Sequence, residues 1–218
     1  VYGLPELFRD EIAAATRVAS PGCYPTTSIL ALAPLVRAGL VEPRGIVVDA
    51  ASGVSGAGRP PKPHTTFGAV DGNLTAYGLL DHRHTPEIEQ ALGRVAGEGV
   101  QVLFTPHLAP MNRGILATCY ARPAGPGLTT DGALDLLAGT WAGEPFVVVT
   151  PGSPETKATL GANTVHVTAR SDPRTGWIVA IAALDNLVKG GSGQAVQCAN
   201  LVLGLPEATG LPTAGLYP

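Results

Sequence analysis

Apolar positions along this chain recur at two periods, and the two alternate in short blocks. Ile29, Leu32, Ala33 and Val36 stand three or four apart, which predicts a helix over 26–38 with Cys23 just before its start. A shorter helix is predicted over 5–15, where Pro5 suits the first helical position and Glu6 puts an acid in the first turn. Thr85-Pro86-Glu87 is a start signal for a third helix running to 95, and 131–141 and 193–203 complete the set. Between them lie apolar runs that predict strands at 45–51, 100–105, 114–121, 145–149, 164–170 and 177–184. Val165 and Val167 alternate with polar neighbours, so their strand is half exposed and His166 faces outward. Residues 17–20 read as extended, 52–63 (SGVSGAGRPPKP) as a loop, and 105–110 (TPHLAP) as a Pro-flanked turn holding His107. Strands follow strands with helices interspersed, so the fold class is α+β: a mixed, mostly antiparallel sheet covered by helices on one face. There is no regular βαβ alternation and no internal repeat.

Composition narrows the possibilities. In 218 residues, 45% are hydrophobic and 14% charged, enough apolar material for a packed core. The 28 glycines and 20 prolines suit strands joined by many turns rather than a helical bundle. A formal net charge of −3 without any Lys/Arg cluster argues against nucleic-acid or membrane-surface partners. The apolar runs are far shorter than the ~20 residues of a bilayer span, and VYGLP at the start is not a secretory leader. Three widely spaced cysteines do not form a disulfide framework and no C-x-x-C is present, so a reducing, cytoplasmic setting is expected and no metal site. The first residue is not Met, so a processed chain or a piece of a longer one is expected.

Several motifs are absent. No stretch matches G-x-G-x-x-G: Gly56-Ala57-Gly58 runs into Arg-Pro-Pro, and Gly191-Ser192-Gly193 lacks the third glycine. There is no G-x-x-x-x-G-K-[ST], and Gly53-Val54-Ser55-Gly56-Ala57 fails the serine-hydrolase elbow at its last position.

Three groups carry candidate chemistry. Cys23 lies in SPGCYPT at a helix entrance, where free N–H groups and the helix dipole favour a thiolate. On the residues alone it reads either as a nucleophile or as a small core side chain, whereas Cys119 (mid-strand) and Cys198 (mid-helix) read as core filling. His82 and His84, in DHRHTPE, also precede a helix, where the dipole would keep an imidazole neutral. An acid–base pair and two solvated loop histidines are both open readings. Arg59, Arg83, Arg113 and Lys189 stand near Gly-rich turns, where a cation could meet a phosphate or carboxylate or simply solubilise the surface.

The strings SPGCYPT (20–26), SGVSGAGR (52–59), AYGLLDHRHTPEIEQ (76–90), FTPHLAPMNRGILAT (104–118) and DNLVKGGSGQAVQ (185–197) together resemble the N-acetyl-gamma-glutamyl-phosphate reductase family of arginine biosynthesis. The resemblance runs over nearly the whole chain but covers only the family's second half. It implies a fold similar to the C-terminal domain of glyceraldehyde-3-phosphate and aspartate-semialdehyde dehydrogenases. It also implies a division into 1–15, the tail of a dinucleotide-binding domain outside this chain; 16–190, the catalytic, substrate and oligomerisation domain; and 191–218, a helix and tail returning to the dinucleotide domain. Carried over by position, Cys23 is the nucleophile and His82 the general acid/base. Ser52, Gly53, Ser55, Gly56 and Asn186 would lie at the cofactor, NADP, and Arg83 and Arg113 would bind the substrate's anionic groups. The resemblance further implies a small-molecule acyl phosphate substrate, a cytoplasmic location and a homo-oligomer, tetramer or dimer. Reductases of aminoadipyl or aspartyl phosphates, a non-catalytic oligomerisation module and a cysteine hydrolase are the competing readings. The last is weakened because no Asn or Asp is identifiable as orienting the histidine.

Overall fold

The helix that begins at Cys23 is apolar on every side, and the rest of the fold is built around it. The computed structural model describes residues 1–217, and in it α2 (Cys23–Arg37) is buried from Tyr24 to Val36. Its Ile29, Leu30, Leu32 and Leu35 are fully buried, each contributing about 2 kcal/mol through removal from water. A helix with no polar face must be enclosed. α2 packs on the sheet along one side and on α4 (Thr85–Ala96) and α5 (Thr130–Thr140) along the others.

The sheet has seven strands: β1 (Ile46–Gly53), β2 (Thr75–Ala76), β3 (Val102–Ala109), β4 (Ile115–Ala121), β5 (Val147–Val149), β6 (Val165–Ser171) and β7 (Ile178–Leu184), in the order β2-β3-β1-β4-β7-β6-β5. Only β1–β3 and β6–β5 run parallel, so the sheet is mixed and mostly antiparallel, as expected. Small side chains line the row beneath α2: Ala50 faces Ala117, Ala117 faces Ala182, and Ala182 faces Val167. The next row runs Val48, Cys119, Ala180 and Ala169, so Cys119 fills a place where a larger residue would push α2 away. The opposite face, with Val47, Leu103, Leu116, Tyr120, Val179, Ile181 and His166, is left half exposed.

α1 (Pro5–Ala13) and α6 (Gly193–Val202) pack together at one end of the layer, and α3 (Phe67–Val70) is a single turn in the long 54–84 connection. β1 runs two residues further than its apolar stretch predicts, taking Ser52 and Gly53 into the sheet. β3 corrects the expected turn at 105–110, because Pro106 and His107 lie inside a strand. The Pro106 carbonyl accepts from Tyr77 N–H on the β2 side, so the missing proline N–H points the same way, beyond the end of the short β2, and breaks no pairing with β1. β2 and α3 carried no sequence signal. Among the described residues, no helix is long and apolar enough to cross a membrane.

Candidate active site

β1, β3 and β7 end, and β4 begins, at one edge of the sheet, and the N-terminus of α2 opens over that edge. Cys23 is the first residue of α2 rather than a residue before it, with Gly22 as the cap. No side chain caps this end, while the Thr26 and Thr27 hydroxyls donate to the carbonyls of Gly22 and Cys23. Cys23 is half buried, whereas Cys119 and Cys198 are buried. Burial pushes the Cys23 thiol up from its ordinary value, and the Glu87 charge adds to this. The backbone N–H groups of Tyr24 and Cys23 itself, and the Arg83 guanidinium, pull it down by less. The helix entrance therefore acts as expected, but desolvation outweighs it.

α4 brings its first residues against that entrance. The His84 ring lies flat on Gly22, where an added Cβ would stand 2.4 Å from Nε2, so only glycine fits. The Glu87 carboxylate reaches across, its Oε1 accepting from Gly22 N–H at 2.8 Å and from the Tyr2 hydroxyl at 2.9 Å. Tyr24, Tyr77, Phe104, His82 and His84 pack edge to face, with the two imidazole centroids 4.8 Å apart and that of His82 5.9 Å from Tyr24. Tyr77 donates to the Tyr24 hydroxyl, which donates to the His107 carbonyl. His84 is 8% exposed; burial, then the neighbouring His82 and Arg83 charges, lower its pKa to about 4. Burial and Arg83 also lower His82, so both imidazoles are neutral at pH 7. His82 Nδ1 accepts from the His84 backbone N–H at 3.2 Å, which puts the proton of the neutral ring on Nε2.

The other expected residues gather at the same edge. Ser52 is buried, and its hydroxyl donates to the Gly53 carbonyl. Gly53 N–H donates to the Gly114 carbonyl, and Ser55 donates through both N–H and Oγ to the Asn112 carbonyl. Asn186 is 4% exposed and committed at both ends, Oδ1 accepting from Gly114 N–H and Nδ2 donating to Ser55 Oγ. Arg113 is present, but its Nε and Nη2 grip Asp185, whose carboxylate also accepts from Gly161, Leu187 and Val188 N–H. Arg83 is exposed and makes no ion pair among the described residues. Gly56 is exposed on the rim. Tyr24, Tyr77 and Glu87 were missed as site residues. Only Glu87 had any signal, as the acid of a helix start, and its carboxylate turns instead to Gly22. Among the described residues, no group of three or more His, Cys, Asp or Glu could hold a metal ion.

A buried helix with a cysteine at its first position, its neighbours Gly22 and Tyr24 packed on paired histidines at one edge of a mixed sheet, defines a class. The chain belongs to the semialdehyde dehydrogenase family, whose dimerisation-domain model matches residues 23–186. More particularly, the whole chain is similar to proteins named N-acetyl-gamma-glutamyl-phosphate reductase. It is 55% identical to one from Frankia casuarinae, 54% to one from Desulforudis audaxviator and 49% to one from Acaryochloris marina, covering 64%, 63% and 62% of their lengths. It thus spans under two thirds of these relatives. Among solved structures it resembles aspartate semialdehyde dehydrogenase II from Vibrio cholerae complexed with ASA (TM-score 0.74, 20% identity, 93% of this chain and 68% of that one). It also resembles the Francisella tularensis aspartate semialdehyde dehydrogenase (TM-score 0.71, 15% identity, 93% and 70%). At those identities the likeness shows the fold.

Proposed function

We propose that this chain is the catalytic and oligomerising part of an NADPH-dependent reductase that converts N-acetyl-gamma-glutamyl phosphate to the semialdehyde and phosphate in arginine biosynthesis. The observation that carries the reading is Cys23 at the first position of α2, between Gly22, which packs on His84, and Tyr24, which packs on both His82 and His84, in a chain 47–55% identical along its full length to reductases of that name. In this scheme Cys23 Sγ attacks the acyl carbon and the C–O bond to phosphate breaks. The departing phosphate takes the bonding pair and the thiol proton, leaving a thioester. NADPH, when bound, supplies the hydride that reduces the acyl group. His82 Nε2–H donates to the oxyanion that then forms, and collapse of that oxyanion breaks the C–S bond to release the aldehyde and the Cys23 thiolate. Arg83, exposed and without an ion-pair partner among the described residues, suits an anionic substrate group better than Arg113, which Asp185 already engages.

Residues present at the rim fit the nicotinamide end of the cofactor in part. Gly56 offers exposed backbone on the 54–57 turn, while Ser55, engaged by Asn112 and Asn186, and the occupied Asn186 amide act by holding that turn in place. No glycine-rich phosphate cradle occurs in the sequence, so the remainder of NADP is assigned to a dinucleotide domain outside residues 1–217. α6, with Val196, Val202 and Leu203 exposed, offers it an apolar face. A second copy of the chain is assigned to the half-exposed sheet face, in line with the dimerisation-domain match. A cytoplasmic location accords with three free cysteines. The test is mass-mapped trapping: incubation with N-acetyl-gamma-glutamyl phosphate should leave an N-acetylglutamyl adduct on Cys23 with release of phosphate. Adduct on Cys119 or Cys198, or none while Cys23 alkylates, refutes the assignment.

A further inference from the structure

Between β7 and α6 the chain makes a π-helical turn, Val188–Ser192, a geometry that is uncommon and concentrated at functional sites. The turn sends two consecutive residues in different directions. Lys189 points into the core and is fully buried. Its ammonium donates to Glu6 Oε1 of α1 and, at 2.7 Å, to Gln197 Oε1 of α6. Gln197 Nε2 donates in turn to Glu6 Oε1 at 3.1 Å and Glu207 Oε1 at 2.7 Å. Gly190, the next residue, presses on Cys23: a Cβ there would lie 2.8 Å from Cys23 Cβ and 3.1 Å from Leu184 Cδ1. The near half of the turn is fixed separately, because Asp185 accepts from Leu187 and Val188 N–H. The far half, which seats Cys23, keeps backbone bonds from Gly190 N–H to the Asp185 carbonyl and from Ser192 N–H to the Leu187 carbonyl, and Lys189 is its anchor to α1 and α6.

A buried ion pair is a poor source of stability, since apolar side chains of the same volume hold helices together as well or better. What it supplies is direction: oriented bonds to α1 and α6 that, together with the Gly190 N–H bond to the Asp185 carbonyl, restrict where the Lys189 and Gly190 backbone can lie. We propose that Lys189, clamped by Glu6 and Gln197, is a positioning residue for Cys23, fixing the π-turn so that Gly190 seats the cysteine side chain at the entrance of α2. The catalytic consequence rests on the reading of Cys23 as nucleophile, but the seating itself is read by thiol chemistry alone. It also ties α1, which precedes Cys23, and α6, some 170 residues after it, to the cysteine side chain through two residues.

Two variants test it. Glu6→Gln/Lys189→Met removes both charges together, so neither is left alone in the core, and Gly190→Ala keeps the clamp but alters the seat. Each is alkylated with iodoacetamide over a range of pH and the rate mapped by mass at each cysteine. Cys119, in the middle of the sheet, reports global opening. The expected result is a displaced pH profile and a rate at Cys23 changed by about threefold or more, the equivalent of half a pKa unit, with Cys119 still protected. An unchanged Cys23 profile in a variant whose Cys119 stays protected overturns the proposal. If one variant exposes Cys119, the other decides. In the complete reductase the same variants should lower kcat and leave KM unchanged. Altered alkylation with unaltered kcat would keep the seating and remove the nucleophile assignment instead.

Discussion

Glu87 ties the entrance of α2 to the start of α4, and its replacement has consequences of opposite sign for stability and for the thiol. Its carboxylate accepts from Gly22 N–H and from the Tyr2 hydroxyl, both at normal lengths. Hydrogen bonds to a charged group contribute about 1.5–3 kcal/mol and neutral ones about 0.5–1.5. Glu87→Gln keeps an acceptor and loses the charge, so it should cost about 1 kcal/mol per bond and about 2 kcal/mol in all. Glu87→Ala leaves the Gly22 N–H without its partner and should cost a further 1–3 kcal/mol or so. At this chain length 1 kcal/mol moves Tm by about 2–4 °C, so the Gln variant should melt about 4–8 °C lower and the Ala variant lower still. The Glu87 charge also helps hold the Cys23 thiol up, so the destabilised Gln variant should have the more acidic thiol. Thermal unfolding gives the first quantity and a titration of thiolate absorbance the second. A Gln variant that melts with the parent, or whose thiol pKa is unchanged or raised, refutes the account of Glu87.

Stability should fall on acidification because of His84. Its pKa is about 4 in the folded chain against 6.5 for the free side chain, so the unfolded state binds the extra proton between those values. The contribution is present above about pH 6.5 and lost as pH falls towards 4. It amounts to at most about 3 kcal/mol, and urea unfolding across that window should show the loss, reduced in His84→Gln. In the complete reductase, His82→Asn should lower turnover by about 10²–10⁴, the range of a positioned acid, and a loss of twofold or less would exclude that role. Iodoacetamide at pH 7 should modify Cys23 first. Cys198, pushed up to about 11 chiefly by burial, and Cys119, raised further and fully buried, should follow in that order, and equal rates would contradict the site. Placing a charge on the half-exposed sheet face, as in Ile181→Asp, should convert a dimer to a monomer in sedimentation, and an unchanged mass would move the interface elsewhere.

Much of this architecture is visible in the spacing of apolar residues, because each long element satisfies its own period. α2 was legible from Ile29 to Val36, yet its start lies three residues earlier than the pattern suggests. Gly22 caps the helix, and Pro25 occupies a first-turn position whose N–H the helix does not use. β3 was cut short by Pro106, whose harmlessness depends on β2 ending beside it, a fact of tertiary pairing. Within the site, Cys23 and the His82–His84 pair stood out because each sits in a local string with its own chemical logic. Glu87 did not, and Lys189 stood out only as a cation beside a Gly-rich turn: their partners Gly22 and Glu6 are 65 and 183 residues away.

The two halves of the site are mounted on supports of unequal strength. Cys23 begins a helix enclosed by the core, whereas His82 ends the long 54–84 connection, whose Phe67, Leu79 and Leu80 are largely exposed and whose only strand is two residues long. Amide protons of α2 can exchange with solvent only when the entire layer comes apart, while those around His82 are released by local opening at far smaller expense. Deuterium should therefore appear first beside the imidazoles and last behind the sulfur. Closure around a bound molecule would then be carried out by the histidine side, moving onto a stationary sulfur.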